Sequence, residues 1–180
     1  MSDDLKTIQL KPVGVVRNQS HEASWGAAFS SLDWWERAAR MRERSEAVSE
    51  LVINDDLDGI LDGIDEFSHL MVLYWSHLVP ESRRSVTKVH PLGSKDFPLV
   101  GVFATRSPAR PNSILVTVVR LIERNGNILK VTGLDALDGS PILDIKPYLP
   151  EELDSKDVRM PDWMRKMREA FQEKGTETKE

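Results

Sequence analysis

The chain has 180 residues, with 24 Lys and Arg against 29 Asp and Glu, a formal net charge of -5, and 40% hydrophobic residues. That length suits one domain, or a domain with an appendage, and the acidic balance argues against a surface that binds nucleic acid indiscriminately. The absence of cysteine excludes disulfides, thiolate metal sites and cysteine nucleophiles and fits a reducing cytosol. The polar opening Met1 to Lys6 is no secretory leader, no apolar run approaches the ~20 residues of a membrane span, and the cytoplasm is the expected address.

In chain order, Ile8 to Arg17 reads as a strand through its Val-Gly-Val-Val run. Residues 31 to 47 read as a helix rich in Ala, Glu and Arg, with Ser31 as a candidate N-cap. Ser49 to Ile53 is a short strand. The segment Asn54 to Asp65 approaches a calcium-binding EF-hand loop, but its first residue is Asn54, its twelfth is Asp65, and strand rather than helix follows. An acidic surface turn punctuated by Gly59 and Gly63 is the preferred reading. Phe67 to Trp75 is a continuous apolar run that length and composition favour as a buried strand. A basic stretch follows, Arg83, Arg84, Lys88, His90 and Lys95, with Ser85 to Val89 strand-like within it.

Ile114 to Glu123, Ile128 to Leu134 and Ile142 to Ile145 extend the strand series, and Asn125-Gly126 is a hairpin signal because both residues tolerate positive φ. Pro161 to Lys174 places Trp163, Met164, Met167 and Phe171 at helical spacing, so a C-terminal amphipathic helix is expected to pack on the barrel or on a partner subunit. Gly175 to Glu180 reads as a frayed polar end. Many strands with few helices predict a mainly β (α+β) fold, an antiparallel β-barrel with peripheral helices. Residues 1–150 form the barrel domain in this reading and 151–180 its helical tail. No Gly-x-Gly-x-x-Gly occurs, so a doubly wound nucleotide site is not expected.

The chemistry concentrates in Gly101 to Ser113, where Arg106 and Arg110 sit among Thr105, Ser107, Asn112 and two prolines. Proline narrows the loop's conformations, and each guanidinium offers a planar fork of donors for carboxylate or phosphate. The plain alternative is a stiff connection with solvated arginines. Gly101-Val102-Phe103-Ala104-Thr105-Arg106-Ser107-Pro108-Ala109-Arg110-Pro111-Asn112 resembles the signature GVFATRSPxRPNPIG of the TrmO (TsaA-like, YaeB) family of S-adenosylmethionine-dependent tRNA methyltransferases. Leu134 to Tyr148 resembles that family's LDxxDGTPVxDIKPY, Gly63 to Leu70 resembles its GIEEFSHL, and Pro12 to Arg17 its opening strand. The similarity spans roughly residues 11 to 150.

The resemblance implies a β-barrel methyltransferase, commonly dimeric, that methylates N6 of threonylcarbamoyladenosine beside the tRNA anticodon. It implies cofactor contacts at Arg106, His77, Leu78, Leu115, Asp135, Ala136, Leu137 and Asp138. Arg83, Arg84, Lys88 and Arg110 are the candidates for docking RNA. Asp144 and Tyr148 are candidate acceptor-side groups, with no catalytic base singled out. The chain departs from the family at Ser113-Ile114-Leu115, where Pro-Ile-Gly is usual, and after the first strand, where it lacks a Pro-x-Gln element that Gln19 or Trp25 would have to replace. A methyltransferase of another acceptor, and a non-catalytic cofactor-binding regulator or RNA-binding module, are the alternatives.

Overall fold

The computed structural model describes residues 7–21, 32–149 and 159–173. Ser31, Trp25 and Gly175 to Glu180, which figured in the sequence reading, lie outside the described residues. The chain divides into two compact units interleaved along the sequence. The first comprises residues 1–21, 45–78 and 113–148, and the second residues 22–44, 79–112 and 149–180.

In the first unit, β1 (Gly14–Arg17), β2 (Ser49–Ile53), β3 (His69–Trp75), β6 (Ile114–Asn125), β7 (Ile128–Thr132) and β8 (Pro141–Pro147) close into a barrel in the order β1-β2-β7-β6-β3-β8. Every pairing is antiparallel. Closure removes the edges on which an open sheet would aggregate. Period-two alternation decides what fills the interior: Val16, Leu51, Leu70, Val72, Leu129 and Val131 are buried there. The expected antiparallel barrel with peripheral helices is the fold observed, including the C-terminal helix.

Several boundaries differ from expectation for local reasons. Strand β1 begins only at Gly14, since Pro12 has no N–H for the ladder and Ile8 and Leu10 are exposed. Gly14 is where the chain crosses β2 most closely, because a Cβ there would run into the Val52 carbonyl. Strand β3 starts at His69, after a 3-10 turn over Ile64–Glu66 that closes with Phe67 N–H on the Ile64 carbonyl. It is buried on one face only: Leu70, Val72 and Tyr74 point inward, whereas Met71, Leu73 and Trp75 are half-buried on the other face. The β6–β7 loop is Gly126-Asn127, since Asn125 pairs with Ile128, and the positive φ falls on Gly126 alone (61°), as in a II′ turn.

The EF-hand-like segment is held by protein groups. Arg124 donates to the Leu61 carbonyl at 2.9 Å and lies 3.3 Å from Asp62 and 3.5 Å from Asp65, and Asn127 donates to Asp55 at 2.6 Å. These neighbours give Asp55, Asp62 and Asp65 partners within the protein.

The second unit holds α1 (Trp34–Glu46) up to Arg44, α2 (Glu81–Arg84), the two-stranded sheet of β4 (Lys88–Val89) and β5 (Val100–Gly101), and α3 (Asp162–Glu173). Of the expected strand Ser85 to Val89 only Lys88–Val89 forms. Helix α1 is capped by Asp33 and Glu36, each side chain accepting from the other's backbone N–H at 2.8 and 2.9 Å, whereas the sequence reading offered Ser31 as the candidate N-cap. Phe97 is buried, its ring 5.1 Å from Trp34 and 6.3 Å from Trp163 of α3. Trp163, Met164 and Met167 are half-buried between exposed Arg165 and Arg168, as the amphipathic pattern requires. Among the described residues no helix is long and apolar enough to cross a membrane.

Candidate functional site

In the barrel unit the predicted residues gather where β1, β3 and β6 meet the connection from β7 to β8. Tyr74, on the inward face of β3 and 2% exposed, donates its hydroxyl to Asp135 Oδ1 at 2.7 Å. Thr117 of β6 donates to the same oxygen at 2.5 Å. Two donors on one oxygen fix the carboxylate's orientation. Asp135 is exposed, and its Oδ2 has no partner among the described residues. Leu115 is the register partner of Tyr74 and so sits beside this pair.

Asp138 is tied into the backbone instead. Its Oδ1 accepts the Asn18 N–H at 2.9 Å, and its Oδ2 lies 3.7 Å from His21 Nδ1. Ala136 and Leu137 are buried, and their carbonyls accept from Asn18 Nδ2 and the Ser140 N–H, so they shape the loop from beneath. His77 Nδ1 is 3.4 Å from the Ser140 hydroxyl. Burial pushes the His77 pKa below its ordinary value of 6.5, with the nearby Asp138 charge opposing. Leu78, next in the chain, is exposed.

Sequence reading missed the residue that organises this cluster. Asn18 donates to the Ser49 hydroxyl at 3.1 Å and to the Ala136 carbonyl at 3.0 Å, and accepts the Ser20 N–H at 2.9 Å as an Asx turn. An asparagine directly after a strand was the available signal. Gln19 is exposed, and Trp25 lies outside the described residues. Buried Ser113 occupies the position of the family's proline, and its carbonyl accepts the Ser76 N–H at 2.9 Å.

In the second unit the signature loop braces itself. Arg110 Nε donates to the Ser107 carbonyl at 2.8 Å and Nη2 to the Thr105 carbonyl at 2.7 Å. Arg84 donates to Glu81 at 2.9 Å and to the Val79 carbonyl at 3.4 Å. Both guanidinium groups therefore have partners inside the unit. Arg106, Arg83 and Lys88 are exposed, and Arg106 has no partner among the described residues. Asp144 forms an ion pair with Lys146 at 2.7 Å and faces outward with Leu73, opposite the face that carries Tyr74. Tyr148 is exposed, its N–H donating to the His69 carbonyl.

Residues 37–155 match the family model of the tRNA-methyltransferase O N-terminal domain. An S-adenosyl-L-methionine-binding protein of Archaeoglobus fulgidus is 42% identical over 142 residues, covering 79% of this chain and 90% of its own length. A probable S-adenosyl-L-methionine-binding protein of Methanothermobacter thermautotrophicus is 43% identical over 148 residues, covering 82% of this chain and 94% of its own. A crystal structure of TrmO superposes on 86% of this chain with a TM-score of 0.62 at 31% identity. This chain spans 63% of that TrmO chain. The chain belongs to the tRNA-methyltransferase O N-terminal domain family, whose signature loop, barrel and Leu134–Tyr148 block it carries.

Proposed function

We propose that this protein is an S-adenosylmethionine-dependent methyltransferase acting on tRNA, with N6 of threonylcarbamoyladenosine beside the anticodon as the acceptor. The observation that carries the reading is Asp135, an exposed carboxylate held through one oxygen by Tyr74 and Thr117, the other oxygen having no partner among the described residues. The cofactor combines a carboxylate, an ammonium, a sulfonium and ribose hydroxyls, so it calls for both an acidic acceptor and a cationic donor. Asp135 supplies the acidic acceptor in the barrel unit. When bound, the cofactor brings a methyl group on a positive sulfur that transfers in line to a nitrogen.

The chain's own task is then to orient and to exclude water, which supplies most of the rate in such a displacement. Asp138 and Asn18 hold the loop in shape, and Ala136 and Leu137 pack beneath it. Neutral His77 and Leu78 border it, with Leu115 beside Tyr74. Exposed Arg83 and Lys88 meet RNA phosphates, while Arg84 braces the helix that carries Arg83 and Arg110 braces the signature loop. No proton-transfer step is assigned to Asp144, whose carboxylate is paired with Lys146.

We place the enzyme in the cytoplasm and propose that it works as a homodimer. The support for association is the outer face of β6, where Val116, Val118 and Ile122 are all exposed. Light scattering of the purified protein at a dimer's mass tests this, and a monomer refutes it.

Calorimetric titration with S-adenosylmethionine tests the cofactor reading. Saturable binding is expected for the wild type, with a loss of about tenfold or more in Asp135→Asn, the scale of a charge-assisted hydrogen bond. Wild-type protein that is folded and binds no cofactor would contradict it.

A further inference from the structure

The signature loop also displays a side chain that the cofactor reading leaves unused. Phe103 is 79% exposed, in the middle of the 3-10 turn Val102–Ala104. The turn is held from both ends. Val102 is buried and its N–H donates to the Thr87 carbonyl at 2.9 Å, while its own carbonyl accepts from the Thr105 N–H at 3.1 Å and the Thr105 hydroxyl at 2.8 Å. Downstream, the Ser107 N–H donates to the Thr105 hydroxyl at 3.1 Å, and Arg110 clasps the Thr105 and Ser107 carbonyls. The backbone that carries the phenyl ring is thus braced while the ring itself stands in solvent. A loop ordered in advance loses little backbone entropy when a ligand covers its side chain.

Its surroundings identify the ligand. Gly101 and Ala104 flank the turn and add little apolar area, and Leu99, two residues before Gly101, is the exposed large apolar side chain nearest in sequence. Lys88, exposed, stands opposite Gly101 in the β4–β5 ladder, and exposed Arg83 belongs to the same unit. An exposed aromatic ring on a braced loop, with a lysine on the adjoining ladder, is an arrangement that binds unpaired nucleic acid, with cations on the backbone and a base stacked on the ring. We propose that Phe103 is the stacking platform for an unpaired base of the RNA substrate, with Lys88 and Arg83 on neighbouring phosphates. This rests on the reading of the protein as an RNA methyltransferase and adds how a looped rather than a paired strand is selected.

The test uses the full-length protein and two fluorescently labelled RNAs of equal length, a stem-loop and a perfect duplex, read by anisotropy. Phe103→Ala should weaken stem-loop binding by about tenfold or more, leave duplex binding unchanged, and leave calorimetric affinity for S-adenosylmethionine unchanged. Phe103→Trp should retain stem-loop affinity, and Phe103→Leu should not, since leucine keeps apolar surface but has no π face. Because the side chain is exposed, thermal melts of all three variants should match the wild type. Unchanged stem-loop affinity in Phe103→Ala, rescue by leucine as good as by tryptophan, or a fall in cofactor affinity instead would each overturn the proposal. A wild type with no affinity for the stem-loop also overturns it, while the cofactor titration of the same preparation decides the methyltransferase reading separately.

Discussion

Truncating Asn18 to alanine removes the carboxamide that ties the end of β1 to the loop bearing Asp135 and Asp138. Its Nδ2 donates to the Ser49 hydroxyl and the Ala136 carbonyl, and its Oδ1 accepts the Ser20 N–H. Ser49 and Ala136 are each 1% exposed, so neither acceptor can turn to bulk solvent when the amide is gone. A buried polar group stripped of its partner costs about 1–3 kcal/mol, and the less buried Ser20 bond contributes about 0.5–1.5 kcal/mol. Water entering the vacated space offsets part of this, which leaves a loss of about 2–4 kcal/mol.

Urea unfolding followed by circular dichroism should show this as a lower midpoint at unchanged slope. Asn18→Asp sharpens the test, because it preserves the acceptor for Ser20 but sets an anion against the Ala136 carbonyl. It should be at least as destabilising as alanine. Either variant within about 0.5 kcal/mol of the wild type, the ordinary range for a neutral surface change, would refute the assignment of Asn18 as the organiser of the loop.

Gly14→Ala should destabilise the barrel by about 1–3 kcal/mol in the same assay, since a Cβ there collides with the Val52 carbonyl and the β1–β2 crossing has to open. Tyr74→Phe should cost about 1 kcal/mol of stability and lower S-adenosylmethionine affinity in calorimetry, because Asp135 then keeps only Thr117 as anchor. Burial lowers the pKa of folded His77 below its unfolded 6.5, so the unfolded chain takes up more protons as pH falls through that value. His77 therefore contributes a stability that is full above pH 6.5 and is lost toward the lower folded pKa. His77→Gln should flatten that limb of a pH series of urea midpoints, and an unchanged limb would contradict the assignment. Arg124→Ala should lose about 1–2 kcal/mol by freeing the Leu61 and Gly126 carbonyls, and a thermal melt in calcium should show no recovery.

The strands that were legible are those whose pattern is local. Ser49–Ile53 matched residue for residue because alternation and length agree there, and the Asn125-Gly126 signal located the hairpin. The turn's central pair lies one residue later, because a II′ turn takes glycine first and the asparagine need not adopt positive φ. Strand pairing across the chain left no local trace. Nothing near Tyr74 in sequence indicates that its hydroxyl meets Asp135, since that contact exists only once the barrel sets β3 against the connection from β7 to β8. Arg124 likewise reaches the acidic turn from a strand some sixty residues away, a partner that the turn's own residues, read as an acidic surface turn, do not reveal. The two arginines of the signature loop read alike and differ in the structure: Arg110 is folded back onto carbonyls, and Arg106 is exposed.

The most direct test of the central claim is methyl transfer itself. Purified protein, radiolabelled S-adenosylmethionine and tRNA that carries threonylcarbamoyladenosine but lacks its methyl group should give label in the RNA, located by mass spectrometry of the digested nucleosides at that adenosine. Asp135→Asn should reduce the rate. Cofactor that binds with no label entering the tRNA, or label on a different nucleoside, would contradict the proposed reaction.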